Sequence, residues 1–205
     1  MHMKLSHILY KAVDLDTAVR EFRALGFQVE YGSKKNPHNA LVYFSEGPYI
    51  ELLGSESPVS PFISFILRLI GKAKVAERFK RWKTAEPGYF ELCLENYNTD
   101  FKEEETVFKS FSQPYFITKS SRHDPQDRLL KWRMLFPLEV DLPFLMTYFN
   151  IDPKPSNFKH PNGYTRVKMV SYTTDEKWIP LLNALCEDHT LKVEAGKKNI
   201  EVVFE

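Results

Sequence analysis

The sequence predicts an α+β fold in which two βαβββ modules pair into one curved mixed sheet around a cup, with a helical insert and a C-terminal βαββ extension. Two observations predict it. The order strand, helix, strand, strand, strand reads twice along the chain, and 16 Phe and 10 Tyr among 205 residues suit a β-rich fold with a lined pocket. One such unit leaves a sheet face uncovered, whereas two side by side can close a curved sheet around a hollow.

The first module is expected over residues 3–53. Lys4–Lys11 alternates loosely and reads as a strand. Asp14 or Asp16 can cap the next segment, where Leu15, Ala18, Val19, Phe22 and Leu25 share one helical face and Gly26 supplies a left-handed stop. Residues 27–31 read as a second strand and residues 32–37 as a polar turn region. Residues 40–44 and Tyr49–Leu53 read as a hairpin around Ser45-Glu46-Gly47-Pro48.

Residues 54–87 form an insert with Pro58 and Pro61 at its front. Its apolar run, residues 61–70, is too short to span a bilayer and carries Arg68. The basic run Lys72, Lys74, Arg78, Lys80, Arg81 and Lys83 fits a helix docking its apolar side on the domain, in preference to an interfacial membrane helix.

The second module, residues 88–150, repeats the order: a strand over 89–94, an amphipathic helix over 100–111, and strands over 115–119, 129–136 and 142–149. Residues 151–205 hold a linker and the extension, with a strand over 164–172, a helix over 177–186 and a closing hairpin of Leu191–Ala195 and Asn199–Phe204.

The formal net charge of +1 gives no global reason to expect nucleic acid or an anionic membrane as partner. Cys93 and Cys186 lack disulfide or zinc-ribbon spacing, and Cys93 sits in an apolar strand. With no leader-like basic and apolar N-terminal regions, a cytoplasmic location is expected.

Particular residues carry a resemblance. Leu5-Ser6-His7-Ile8-Leu9-Tyr10, then Val13-Asp14-Leu15-Asp16 and Phe22-Arg23-Ala24-Leu25-Gly26-Phe27, is similar to the opening of glyoxalase and vicinal-oxygen-chelate modules. With His38-Asn39-Ala40-Leu41, Tyr49-Ile50-Glu51-Leu52-Leu53, Leu142-Pro143-Phe144-Leu145 and His160-Pro161-Asn162-Gly163, the set resembles the glyoxalase-like domain branch of that superfamily. In its metal-dependent members each module offers one ligand from its first strand and one from its fourth. The resemblance implies His7 and Glu51 as ligands of a divalent metal (Zn, Ni, Mn or Fe) that would polarise a carbonyl or stabilise an enediolate. Alternation puts Leu5, His7 and Leu9 on one face of the first strand, and Tyr49, Glu51 and Leu53 on one face of the fourth.

The second module departs from that pattern. Tyr89 falls where the second His belongs, and Leu145 or a neighbour where the second carboxylate belongs, so a further ligand would come from His160 or His38.

Glu51 is also the expected catalytic residue, because a carboxylate in a buried strand is costly unless paired, ligated or facing a wet cavity. His38, Asn39, Tyr89 and Trp132 are the expected substrate contacts. Plainer readings stand beside them: His38 shapes its turn, His160 belongs to a Pro-Asn-Gly turn, and Trp132 packs in the core. Arg122, His123, Asp124, Asp127 and Arg128 read as a solvated polar loop. No phosphate loop, nucleophile elbow or HExxH motif is present.

Three functions stay open on sequence: a metal-dependent lyase, isomerase or dioxygenase; a metal-free small-molecule binding protein; and a module whose basic insert docks a partner. Pairing of the modules within one chain or across a homodimer also stays open.

Overall fold

A computed structural model describes residues 2–54, 67–68, 71–155 and 159–205. The expected front of the insert, Pro58 and Pro61 included, lies outside the described residues, as does most of the apolar run.

The chain opens with β1 (Lys4–Lys11) and α1 (Leu15–Ala24). Asp14 is the cap of α1, its carboxylate accepting from Thr17 N at 2.7 Å. Gly26, at φ +82°, ends the helical segment in the left-handed region. β2 (Glu30–Tyr31), β3 (Asn39–Val42) and β4 (Tyr49–Leu53) follow; β2 is shorter than the pattern predicts, and β3 and β4 pair antiparallel. After α2 (Ala73–Thr84) come β5 (Gly88–Asn96), α3 (Lys102–Ser110), β6 (Tyr115–His123), β7 (Leu129–Pro137) and β8 (Phe144–Thr147).

These eight strands form one curled sheet in the order β2-β3-β4-β1-β5-β8-β7-β6. Each module places its fourth strand parallel to its first, and β1 and β5 join the two modules antiparallel within one chain. One sheet face packs Leu5, Ile8, Ile50, Leu52, Leu92, Leu94 and Leu145 into the main core under the helices. The other curls inward as the cup, where Leu9, Leu53, Cys93, Phe136, Phe144 and Met146 pack with Val75 and Trp82 of α2.

The register of β1 against β5 shifts between Leu5 and His7, leaving Ser6 as a bulge residue. This corrects the simple alternation: Leu5 joins the main core with Ile8, while Ser6, His7 and Leu9 face the cup side.

The extension contains β9 (Val167–Thr174), a short 3-10 turn (Glu176–Trp178), α4 (Ile179–Leu185), β10 (Leu191–Ala195) and β11 (Asn199–Phe204). The expected β10–β11 hairpin is corrected. β9 lies between them, parallel to β10 and antiparallel to β11. The link arches over the end of β9: Gly196 N donates to Thr174 O at 2.8 Å, and a Cβ on Gly196 would stand 2.7 Å from Thr173 Cγ2. Only glycine fits so close a crossing at φ +153°. Among the described residues, no helix is long and apolar enough to cross a membrane.

Candidate functional site

The curled sheet encloses a cavity of about 600 Å³, a size ordinary for small-molecule sites. Its two halves differ in chemistry. The first module contributes His7, Ser33, His38, Asn39, Tyr49 and Glu51; the second contributes the polar β6 residues Thr118, Lys119, Ser120, Ser121 and Arg122 and an apolar wall of Phe116, Trp132, Met134, Phe136, Phe144, Met146 and Phe149. Phe79 and Trp82 of α2 cover the apolar half, Trp82 meeting Phe144 at a ring separation of 5.2 Å.

At the polar end His7 Nε2 lies 3.2 Å from Glu51 Oε2, and Asn39 Nδ2 donates to Glu51 Oε1 at 2.6 Å. Strand pairing builds this trio: β4 lies between β1 and β3, and Leu41 of β3 stands opposite Glu51. Tyr49 stacks on the His7 ring at 4.7 Å, and Phe144 meets it edge-on at 5.6 Å, so the imidazole is fixed on two sides. Burial opposes ionisation of Glu51, but the hydrogen bond and charge of His7, with Asn39 and the nearby Arg122 cation, hold its carboxyl below the ordinary value.

Behind His7 the bulge at Ser6 adds a second layer. Ser6 Oγ lies 3.0 Å from His7 Nδ1 and donates to Glu95 Oε2 at 2.7 Å. A hydrogen-bonded chain thus runs Glu51, His7, Ser6, Glu95, and it fixes which imidazole nitrogen faces the cup. Neither Ser6 nor Glu95 stood out in the sequence: a bulge leaves no local signature, and Glu95 follows directly on the apolar run.

Burial raises the Glu95 carboxyl above its ordinary value of 4.5, against the pull of Ser6 and His7. An acid raised in the folded state stabilises the fold while protonated, and that contribution is lost as pH rises from the ordinary value through the raised one. Glu95→Gln keeps an oxygen for Ser6 and removes the buried charge. It is expected to melt a few degrees above wild type at neutral pH, the gap closing near pH 4.5 in thermal scans. A gap that ignores pH would contradict the assignment.

The expected site residues divide cleanly. His7, His38, Asn39, Glu51 and Trp132 line the cup. Tyr89 does not; its ring packs against Tyr10, at 5.2 Å, on the main-core side. Nor is His160 brought to the His7–Glu51 pair. It accepts from Gln28 N at 2.8 Å, packs against Phe27 and Phe44, and is kept towards the neutral form by burial.

The second-module counterparts also change. Cys93, not Tyr89, pairs with His7 across β1 and β5, and Phe144 pairs with Cys93 as Tyr49 pairs with His7. Met146, two beyond Phe144, is then the counterpart of Glu51. A divalent ion would find an imidazole and a carboxylate on one side. On the other it would find a thioether and a thiol whose pKa burial pushes well up. Among the described residues no cluster of three or more His, Cys, Asp or Glu could hold an ion, so the donor set does not fit a four-ligand centre.

The sequence profile of the family described as "Glyoxalase-like domain" matches residues 5–185. The chain belongs to this family. The glyoxalase-like domain protein has the vicinal-oxygen-chelate architecture, and it is similar to a solved hypothetical protein from Staphylococcus aureus. That likeness has 15% identity and a TM-score of 0.66, covering 98% of this chain and 90% of that one. Weaker likenesses, also at 15% identity, are to two methylmalonyl-CoA epimerases. The Streptomyces coelicolor enzyme, in complex with 2-nitronate-propionyl-CoA, gives a TM-score of 0.45 over 72% of this chain and 98% of that one. The Mycobacterium tuberculosis enzyme gives 0.42 over 74% and 89%. No curated protein matches the glyoxalase-like sequence significantly.

Proposed function

We propose that this glyoxalase-like protein takes a small, largely apolar, oxygen-bearing molecule into the cup and sets its oxygen against His7, Asn39 and Glu51. The observation that carries the reading is the His7–Glu51 pair, 3.2 Å apart, at the polar end of a hollow whose other end is aromatic. Glu51, held ionised, is placed to accept a proton from a carbon beside a carbonyl. Asn39 and the imidazole are placed to donate hydrogen bonds to the oxygen that gains charge. The chemistry this supports is proton transfer next to a carbonyl.

A second reading has its own support. Both oxygens of Glu51 are already engaged, by His7 and by Asn39, which suits a cup that holds its guest without changing it.

One experiment separates the two. Phenylacetone, a benzyl ketone with exchangeable protons beside its carbonyl, is expected to quench Trp82 and Trp132 saturably; Trp82→Phe and Trp132→Phe variants localise the signal to the cup. In deuterated water the protein is expected to speed deuterium uptake at those carbons, read by NMR. Glu51→Gln is expected to slow that uptake by about 100-fold or more, with affinity little changed. Saturable quenching without protein-dependent uptake selects the holding role, and no saturable quenching would sink both readings.

A further inference from the structure

We infer that the cup selects anionic ligands and that Arg122 receives their anionic end, so the guest is an amphiphilic carboxylate with an aryl or branched alkyl body. The inference rests on the small-molecule reading above and adds the ligand's charge.

The chain as a whole is almost neutral, with a formal net charge of +1. Its cup is not. Among the described residues, the charged side chains lining it are Glu51, Lys119 and Arg122, with the imidazoles of His7 and His38 beside them. Two permanent cations therefore face a single carboxylate, itself held by His7 and Asn39, which leaves one positive charge in excess in a partly enclosed space. Low-dielectric walls strengthen that excess and favour a negative guest.

Arg122 is the better placed of the two. It stands near the end of β6, where the curled sheet brings its last strand back to its first, and its guanidinium donates to Gly32 O. A neutral carbonyl fixes the orientation of the group without cancelling its charge. Glu30, on β2 at the same seam, is met by Gln126 Nε2 at 2.9 Å and does not line the cup. The charge of Arg122 reaches Glu51 and Tyr43, so the cation stands close to the polar end. A guanidinium offers a planar fork of five N–H donors, and a carboxylate is the small group that fits it in pairs. Across the hollow, Phe79, Trp82, Phe136 and Phe144 present aromatic surface for the guest's apolar body.

The test uses 4-phenyl-2-oxobutanoate and its methyl ester, which differ in charge while sharing the ketone and the aryl group. Titration calorimetry on the full chain is expected to show the acid binding about ten-fold or more tightly than the ester, with the preference falling as salt rises. Arg122→Gln is expected to cut the preference to about two-fold or less while leaving ester affinity unchanged. Arg122→Lys, which keeps the charge but not the fork, is expected to fall between, and Lys119→Gln to have the smaller effect. Equal binding of acid and ester to wild type would overturn the inference and leave the small-molecule reading standing. Equal weakening of both ligands by Arg122→Gln would overturn it too, marking the residue as a staple of the sheet edges. Binding of neither compound would overturn both.

Discussion

Arg78→Ala is expected to destabilise the protein by about 3–5 kcal/mol, the cost typical of breaking a buried ion pair by removing one partner. The side chain is fully buried, although it comes from a basic run on an insert. Its guanidinium pairs with Glu91 and donates to the carbonyls of Leu142 at 3.0 Å, Pro137 at 3.2 Å and Glu139 at 2.8 Å. Glu91 is met in addition by Trp82 Nε1 at 2.6 Å and Arg81 at 3.1 Å. One arginine therefore fastens α2 both to β5 and to the segment before β8, and its loss leaves Glu91 with only Arg81 and Trp82 and takes the guanidinium donor from three carbonyls at once. Chemical denaturation read by far-UV circular dichroism measures the change. The double replacement Arg78→Met with Glu91→Met is expected to cost clearly less than the two single costs added, since no unpaired charge is left. Simple additivity, or a loss under 1 kcal/mol for Arg78→Ala, would show that α2 is held chiefly by its apolar side.

Phe144→Ala is expected to cost about 3–5 kcal/mol as well, through a cavity in a packed wall. The ring is almost wholly buried and touches His7, Trp82 and Phe136 at centroid separations of 5.6, 5.2 and 5.7 Å. Its removal acts on fold and site together: the aromatic wall loses its middle, and among the described residues the imidazole keeps only Tyr49 as a ring partner. Denaturant titration gives the stability loss, and the same sample tested with phenylacetone is expected to show weakened quenching. Phe144→Leu, nearer in volume, is expected to recover most of the stability but less of the binding. Normal affinity in the alanine variant would place the ligand elsewhere in the cup.

The architecture was legible because its signals are local and repeated. Asp14 caps α1, Gly26 stops the helical segment, and β4 occupies the expected Tyr49–Leu53. The convergence of His7 and Glu51 followed from resemblance, since alternation within each strand says nothing about how two strands face one another. What escaped notice depends on long-range packing. His160 sits in a turn that folds back on Phe27, and no spacing within His-Pro-Asn-Gly reports that partner.

Two signals were present but outweighed. Val75, Arg78 and Trp82 recur at helical spacing, which puts the arginine on the apolar stripe of α2. His7 also precedes Asp14 by the same interval as Cys93 precedes Asp100, whose carboxylate accepts from Lys102 N at the start of α3. That interval points to Cys93, not Tyr89, as the counterpart.

The meeting of the sheet's first and last strands has one more physical outcome. An open eight-stranded sheet normally offers a bare ladder at each margin, ready to be extended by another chain. Here one margin is a two-residue strand, and the other ends in solvated His123, with Arg122 and Gln126 reaching back to the opposite margin. The two-residue margin gives a neighbouring molecule little ladder to extend, and the side-chain ties draw one end of the other margin towards it.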